Sequence, residues 1–194
     1  MKPLTLFETD IVGVFRVKCQ QSFDLRGSFV KNFNAPLFES HGINFICRES
    51  FYSVSNKNVI RGMHFQVSPF DGYKLVTAVS GHVLDVILDL RKDSQSFGKY
   101  LAFDLNASDA DAVLIPPDCA HGFLALEDNC ILNYQTGAEY SAKHDLGVRY
   151  DSFGFDWPCS NPVISPRDMQ HLTLEDFMKS ADFAANPESG GNHL

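Results

Sequence analysis

The sequence predicts an all-β protein of jelly-roll architecture with a few short peripheral helices. Three observations carry that prediction. From residue 11 to about 150, short apolar segments recur at regular spacing, with turn chemistry and no helical segments between them. That pattern belongs to antiparallel sheets, not to a parallel α/β sheet. Seventeen Phe stand against one Trp, and aromatic side chains favour half-buried pleated surfaces. In "HVLDVILDL", Leu84, Val86, Leu88 and Leu90 make one uniformly apolar face, while Val83, Asp85, Ile87 and Asp89 mix aliphatic and acidic side chains on the other.

The candidate strands follow in chain order: "IVGVFRVKC", "SFVKNF", "NFICRESFYSVS", "VIRGMHFQ", "KLVTAVS", "HVLDVILDL", "YLAFDL", "AVLIPP", "HGFLAL" and "CILNYQT". Helix is sparse. "APLFESHG" reads as a short helix stopped near Gly42, and "TLEDFMKSADF" offers Thr173 as a cap with Asp176 in the capping-box position. No internal repeat or domain boundary is visible, so residues 1–183 are expected to form one domain, and residues 184–194 a mobile tail.

Composition narrows the function classes. An apolar fraction of 44% with 21% charged residues is ordinary for a globular chain. The net charge of −8 argues against a general nucleic-acid binder, so an anionic ligand has to meet a local cluster of Arg or Lys. No apolar run reaches the ~18 residues of a spanning helix. "MKPLTLFETD" lacks a long apolar stretch and carries acids early, so neither membrane association nor a secretory signal is expected. The five cysteines are widely spaced without a CxxC pair, which reads as free thiols in a reducing cytoplasm.

The stretch "NVIRGMHFQ" carries the chemistry. His64 and Gln66 lie two apart on one strand and share a face, Lys74 follows eight residues after Gln66, and "PPDCAH" supplies His121. This spacing resembles the cupin pattern, in which two His, a Glu and a distant His hold a metal. Here those positions are His64, Gln66, Lys74 and His121. A protonated lysine has no lone pair and an amide oxygen is a poor transition-metal ligand, so a metal-free cavity with a cation and an imidazole fits better. Such a cavity suits proton removal beside a carbonyl. An imidazole of ordinary pKa, near ~6.5, is largely neutral at cytoplasmic pH and acts as base, while a lysine steadies the developing oxyanion. Returning a proton to the opposite face needs a second acid, for which a Tyr hydroxyl is suited. Any one of these residues alone would read as structural. Their joint cavity-facing spacing favours function. His41, His82, His144, His171 and His193 read as surface or structural histidines.

Several stretches together carry a wider resemblance: "DLRGSFVKNF", "VIRGMHFQ", "KLVTAVSGHVLDVILDLRKDSQSFGKY", "LIPPDCAHGFLAL", "FDWP" and "SPRD", with "NY" followed six residues later by a second Tyr. In order and spacing the chain resembles the dTDP-4-dehydrorhamnose 3,5-epimerase family from about residue 10 to residue 170. The resemblance implies a cupin-type double-stranded β-helix, a homodimer, no metal or other cofactor, and a nucleoside-diphospho-4-keto-6-deoxy sugar as substrate. The product would serve deoxysugar biosynthesis for cell-surface polysaccharide or glycosides. It casts His64 as the base for C3 and C5, with Asp168 hydrogen-bonded behind it, Lys74 at the C4 carbonyl and Tyr134 as proton donor from the other face. Arg61 would meet the diphosphate, joined by Arg26, which could reach across the dimer. His121 would support the site, and Tyr140 and Phe29 would stack on or wall the nucleotide base.

One departure matters: the family usually carries Gln and Asn where this chain has Glu49 and Phe51, at positions facing substrate. Asp118 stands in place of a turn glycine, a change that Asp tolerates. Readings from other classes are a one-centre epimerase on another nucleotide sugar, a metal-dependent cupin and a non-catalytic sugar-nucleotide-binding cupin.

Overall fold

The computed structural model describes residues 3–185; most of the tail expected at 184–194 therefore lies outside the described residues. The strands are β1 (Thr5–Glu8), β2 (Phe15–Lys18), β3 (Gln20–Asp24), β4 (Gly27–Lys31), β5 (Glu49–Ser55), β6 (Ile60–Gln66), β7 (Lys74–Ser80), β8 (His82–Asp89), β9 (Tyr100–Asn106), β10 (Asp111–Ile115), β11 (Cys119–Ala125), β12 (Cys130–Thr136) and β13 (Asp145–Gly147). The helices are α1 (Ala35–Ser40), α2 (Pro166–Met169), α3 (Leu174–Met178) and α4 (Ala181–Ala185), and a 3₁₀ turn at Ala107–Asp109 links β9 to β10.

The strands form a six-stranded sheet, β1-β2-β10-β7-β12-β5, a five-stranded sheet, β13-β6-β11-β8-β9, and a separate ribbon of β3 and β4. All three are antiparallel, and the architecture is the jelly roll that the segment pattern predicts. Every predicted strand segment overlaps an observed strand, with β4, β9, β10 and β11 running one or two residues beyond it. β1, β3 and β13 go beyond that reading, being short and without strong alternation.

Three apolar layers explain the stacking. Between the sheets, Val76, Val113, Ile115 and Leu132 of one meet Val83, Ile87, Leu105 and Phe123 of the other. The outer face of the five-stranded sheet, including Val86, Leu88 and Leu124, is covered by the C-terminal segment through Phe153, Trp157 and Phe177. The outer face of the six-stranded sheet is covered by α1 and its flanks through Phe38, Phe33 and Phe45. The mixed face of β8 is thus the inner one, and it carries Asp85, fully buried, toward the space between the sheets.

The helices follow their caps. The Asn34 side chain accepts from the Leu37 N–H, and α1 ends before Gly42, whose φ of +74° suits glycine. Thr173 accepts from the Asp176 N–H and bonds its carboxylate, as the capping pattern predicts. The helix expected from Thr173 onward is two short pieces, α3 and α4, because the Ser180 hydroxyl accepts the Phe183 N–H and starts a new turn. Asp118 sits at φ +58°, the left-handed conformation expected of a turn position there. The five cysteines are free, and no helix among the described residues is long and apolar enough to cross a membrane.

Candidate active site

A cavity of about 350 Å³ opens between the two sheets, and residues from both line it. β6 and β11 of the five-stranded sheet supply Arg61, His64, Gln66 and His121; β5, β7 and β12 of the other supply Glu49, Phe51, Ser53, Lys74, Tyr134 and Thr136. Register explains the clustering. His64 lies opposite His121 across β6 and β11, while Thr136 lies between Glu49 and Lys74 across β5, β12 and β7.

Strict alternation would send Arg61 and His64 to opposite faces. Pairing with β11 shifts between His121↔His64 and Phe123↔Arg61, which leaves one extra residue on β6. That bulge turns Arg61 into the cavity beside His64. It is seated at Gly62, whose φ is +126°, and where an added Cβ would lie 2.5 Å from the Gly122 Cα. No other residue type fits without moving β11.

His64 Nε2 lies 2.9 Å from Asp168 Oδ1. Burial raises the Asp168 carboxyl, but bonds from His64, the Gly62 N–H and Ser165, together with the His64 charge, outweigh it and bring it down to about 2. The carboxylate is therefore ionised at neutral pH and accepts from Nε2–H, which in the neutral ring leaves the lone pair on Nδ1. Asp168 lies in α2, capped by Ser165, whose hydroxyl accepts the Asp168 N–H. A second pair stands nearby: His121 Nε2 is 2.7 Å from Asp85 Oδ2, both buried, and the His121 ring meets Tyr134 edge-on at 6.1 Å.

Burial pushes the Lys74 ammonium below its ordinary range, opposed by the charges of Asp145 and Asp85. Burial pushes the Tyr134 hydroxyl well above the usual phenol range, opposed by its bond to Ser53, so the group holds its proton. Phe51 stacks on the Tyr134 ring at 4.9 Å and 17°, which fixes the plane in which the hydroxyl sits.

The remaining expected residues stand differently to the cavity. Gln66 lines the cavity, but its amide donates to the Phe70 and Glu139 carbonyls and accepts the Ser141 N–H. Both amide donors are taken up in tying two loops together, so Gln66 shapes the rim and keeps one acceptor lone pair for a ligand. Arg26 and Phe29 do not join the cavity of their own chain. They lie on the β3–β4 ribbon, where Arg26 pairs with Asp24 and Phe29 is 60% exposed, because that ribbon pairs with neither sheet. Glu49 accepts the Tyr140 N–H at the rim, and Arg61 bonds the Ser55 hydroxyl and the Val54 carbonyl.

The structure adds Ser53, Thr136, Asp85, Asp145 and Arg167, the last two paired at 2.6 Å. Two signals could have found some of them: Asp85 interrupts an apolar strand, and Arg167 adjoins Asp168 in "SPRD". His171, read from sequence as structural, lies half-buried beside Asp168, its Nε2 3.9 Å from Oδ1.

A family model described as dTDP-4-dehydrorhamnose 3,5-epimerase matches residues 8–176. A dTDP-4-dehydrorhamnose 3,5-epimerase of Shigella flexneri is 34% identical over 89% of this chain and 97% of its own. Among solved structures, a 4-keto-6-deoxy sugar epimerase from the novobiocin gene cluster of Streptomyces spheroides superposes with a TM-score of 0.88 at 32% identity, covering 92% of this chain and 91% of that one. The Legionella pneumophila dTDP-6-deoxy-D-glucose-3,5-epimerase, solved with dTDP-4-keto-L-rhamnose, gives 0.87 at 28% identity over 93% and 97%.

Proposed function

Because this chain belongs to the dTDP-4-dehydrorhamnose 3,5-epimerase family, we propose that its cavity inverts C3 and C5 of a dTDP-linked 4-keto-6-deoxy hexose in deoxysugar biosynthesis, with the following division of labour. His64 Nδ1 removes the proton beside the ketone, and the electron pair moves onto the C4 oxygen. Asp168 holds the ring in that tautomer and steadies the imidazolium that forms. Lys74, the cation among the lining residues whose charge burial leaves least solvated, stabilises the enolate oxygen. Tyr134 returns a proton to the opposite face of the carbon, after which solvent reprotonates the phenolate and takes the proton from His64.

The observation that carries this reading is that base and acid enter one cavity from opposite sheets, His64 on β6 and Tyr134 on β12. A sugar ring between them has a base on one face and a donor on the other. Arg61, whose guanidinium bonds only neutral groups, supplies local positive charge for the diphosphate in a chain of net charge −8, with Arg167 in its pair with Asp145, His121 and Tyr140 completing the walls. The protein works in the cytoplasm as a homodimer, in which the β3–β4 ribbon of one subunit brings Arg26 and Phe29 to the other's cavity. The exposed Tyr52 and Val54 of edge strand β5 and the exposed Phe29 support an assembled state, since such an edge is otherwise unprotected.

The test is incubation with dTDP-4-keto-6-deoxyglucose in heavy water. Deuterium at C3 and C5 is expected. Deuterium at one position alone would make this a single-centre epimerase, and exchange at neither would overturn the reading.

A further inference from the structure

We propose that His64, Asp168 and His171 form an inhibitory site for a divalent transition ion of zinc type, which takes the catalytic base out of use. Binding stands on geometry alone, whereas the inhibition rests on the role proposed for His64. The cluster differs from the four-position cupin set, which Lys74 spoils.

The ligand atoms of these three residues all lie within 4.8 Å of one another. Tetrahedral zinc with bonds of ~2.1 Å holds its ligands roughly 3.4 Å apart, and it accepts three protein ligands with water in the fourth place. His64 Nε2 and Asp168 Oδ1 are already 2.9 Å apart, and His171 Nε2 is 3.9 Å from the same oxygen. Small side-chain rotations close the set. Two imidazoles and a carboxylate are a donor combination that suits first-row divalent ions.

No hydrogen bond of its Nε2 accounts for the position of His171. Its Nε2 is buried without a hydrogen-bond partner and lies beside the carboxylate, a costly arrangement for a ring nitrogen. Its ring lies directly against Gly147, where an added Cβ would press on the imidazole and push it aside. The backbone around it is held by the Leu172 carbonyl, which accepts the Arg149 N–H at 2.8 Å. Local charge permits a cation, because Arg167 is paired with Asp145, leaving the Asp168 carboxylate to face the ion.

The consequence for the base follows from tautomers. Without metal, the His64 Nε2–H donates to Asp168 and Nδ1 keeps the lone pair. An ion on Nε2 displaces that hydrogen, and a neutral imidazole then carries its proton on Nδ1. A nitrogen that already holds a proton cannot take one from carbon.

The test is calorimetric titration of chelator-stripped protein with zinc chloride, alongside His171→Ala and the bulkier His171→Gln, with solvent exchange assayed with and without EDTA. One equivalent should bind at about micromolar affinity or tighter. Both variants should bind more than about tenfold more weakly yet exchange in EDTA within about threefold of the parent. Zinc should stop exchange in the parent, and EDTA should restore it. Equal titrations of parent and variants, or no uptake at about 100 µM zinc, would overturn the site. Uptake through His171 with undiminished exchange would overturn the inhibition. The titration needs no substrate, so it stands apart from failure of the epimerase reading, which appears as no exchange even in EDTA.

Discussion

In the proposed mechanism His64 draws its competence from one carboxylate, Asp168, and the consequences are measurable side chain by side chain. Replacing Asp168 by Asn keeps the shape but frees the imidazole to adopt the other tautomer, so kcat should fall by about 10² or more with little change in KM. The same group contributes to acid stability. Its pKa is about 2 in the fold against 3.8 when free, so its contribution, about 2 kcal/mol, is fully present above pH 3.8 and disappears as pH falls toward 2. Denaturant unfolding of Asp168→Asn should lack that slope between those values. A parent and variant with equal slopes would show that the pair does not tie protonation to folding. Lys74→Met should lower kcat by about 10² to 10³ through loss of oxyanion stabilisation. The residue types were legible in sequence because an imidazole, an ammonium and a phenol at cavity-facing spacing are unusual in apolar strands. Asp168 was legible only through the family resemblance. His171 was not legible at all, since the one-turn spacing from Asp168 carries meaning only once α2 and its packing beside His64 are known.

At the scale of elements, the bulge on β6 decides what the cavity contains. Simple period-two alternation predicts the shared direction of His64 and Gln66 but not that of Arg61, because a register shift belongs to the pair of strands and not to either sequence. Gly62→Ala should destabilise the protein by about 2 to 3 kcal/mol, since the new Cβ meets the Gly122 Cα and the His121 carbonyl. Activity should fall even where the variant remains folded, as the clash separates β6 from β11 and so His64 from His121. Thermal unfolding within 1 degree or so of the parent, flagged by a shift well under the ~2 °C expected per kcal/mol, would show that the bulge accommodates a side chain. The long alternating strands were readable from composition and period. β1, β3, β13 and α2 were not, being short elements that owe their form to pairing or to a single cap, such as Ser165.

At the scale of the whole molecule, the role proposed for the ribbon carrying Arg26 and Phe29 ties function to assembly. If each cavity draws Arg26 from its partner, a mixture of Arg26→Ala and His64→Asn proteins forms heterodimers with one complete site. Mixing after subunit exchange should restore up to about a quarter of parent activity from two inactive proteins. No recovery, with sedimentation showing mixed dimers, would place the ribbon outside the site. The central claim concerns two opposed walls, with proton removal from one and proton return from the other. It is tested most directly by following dTDP-4-keto-6-deoxyglucose in heavy water with Tyr134→Phe and His64→Asn side by side, reading both deuterium content and configuration by NMR. Tyr134→Phe should still wash protons out of the sugar while failing to invert it, and His64→Asn should do neither. Inversion by Tyr134→Phe at the parent rate, or continued exchange in His64→Asn, would contradict the account.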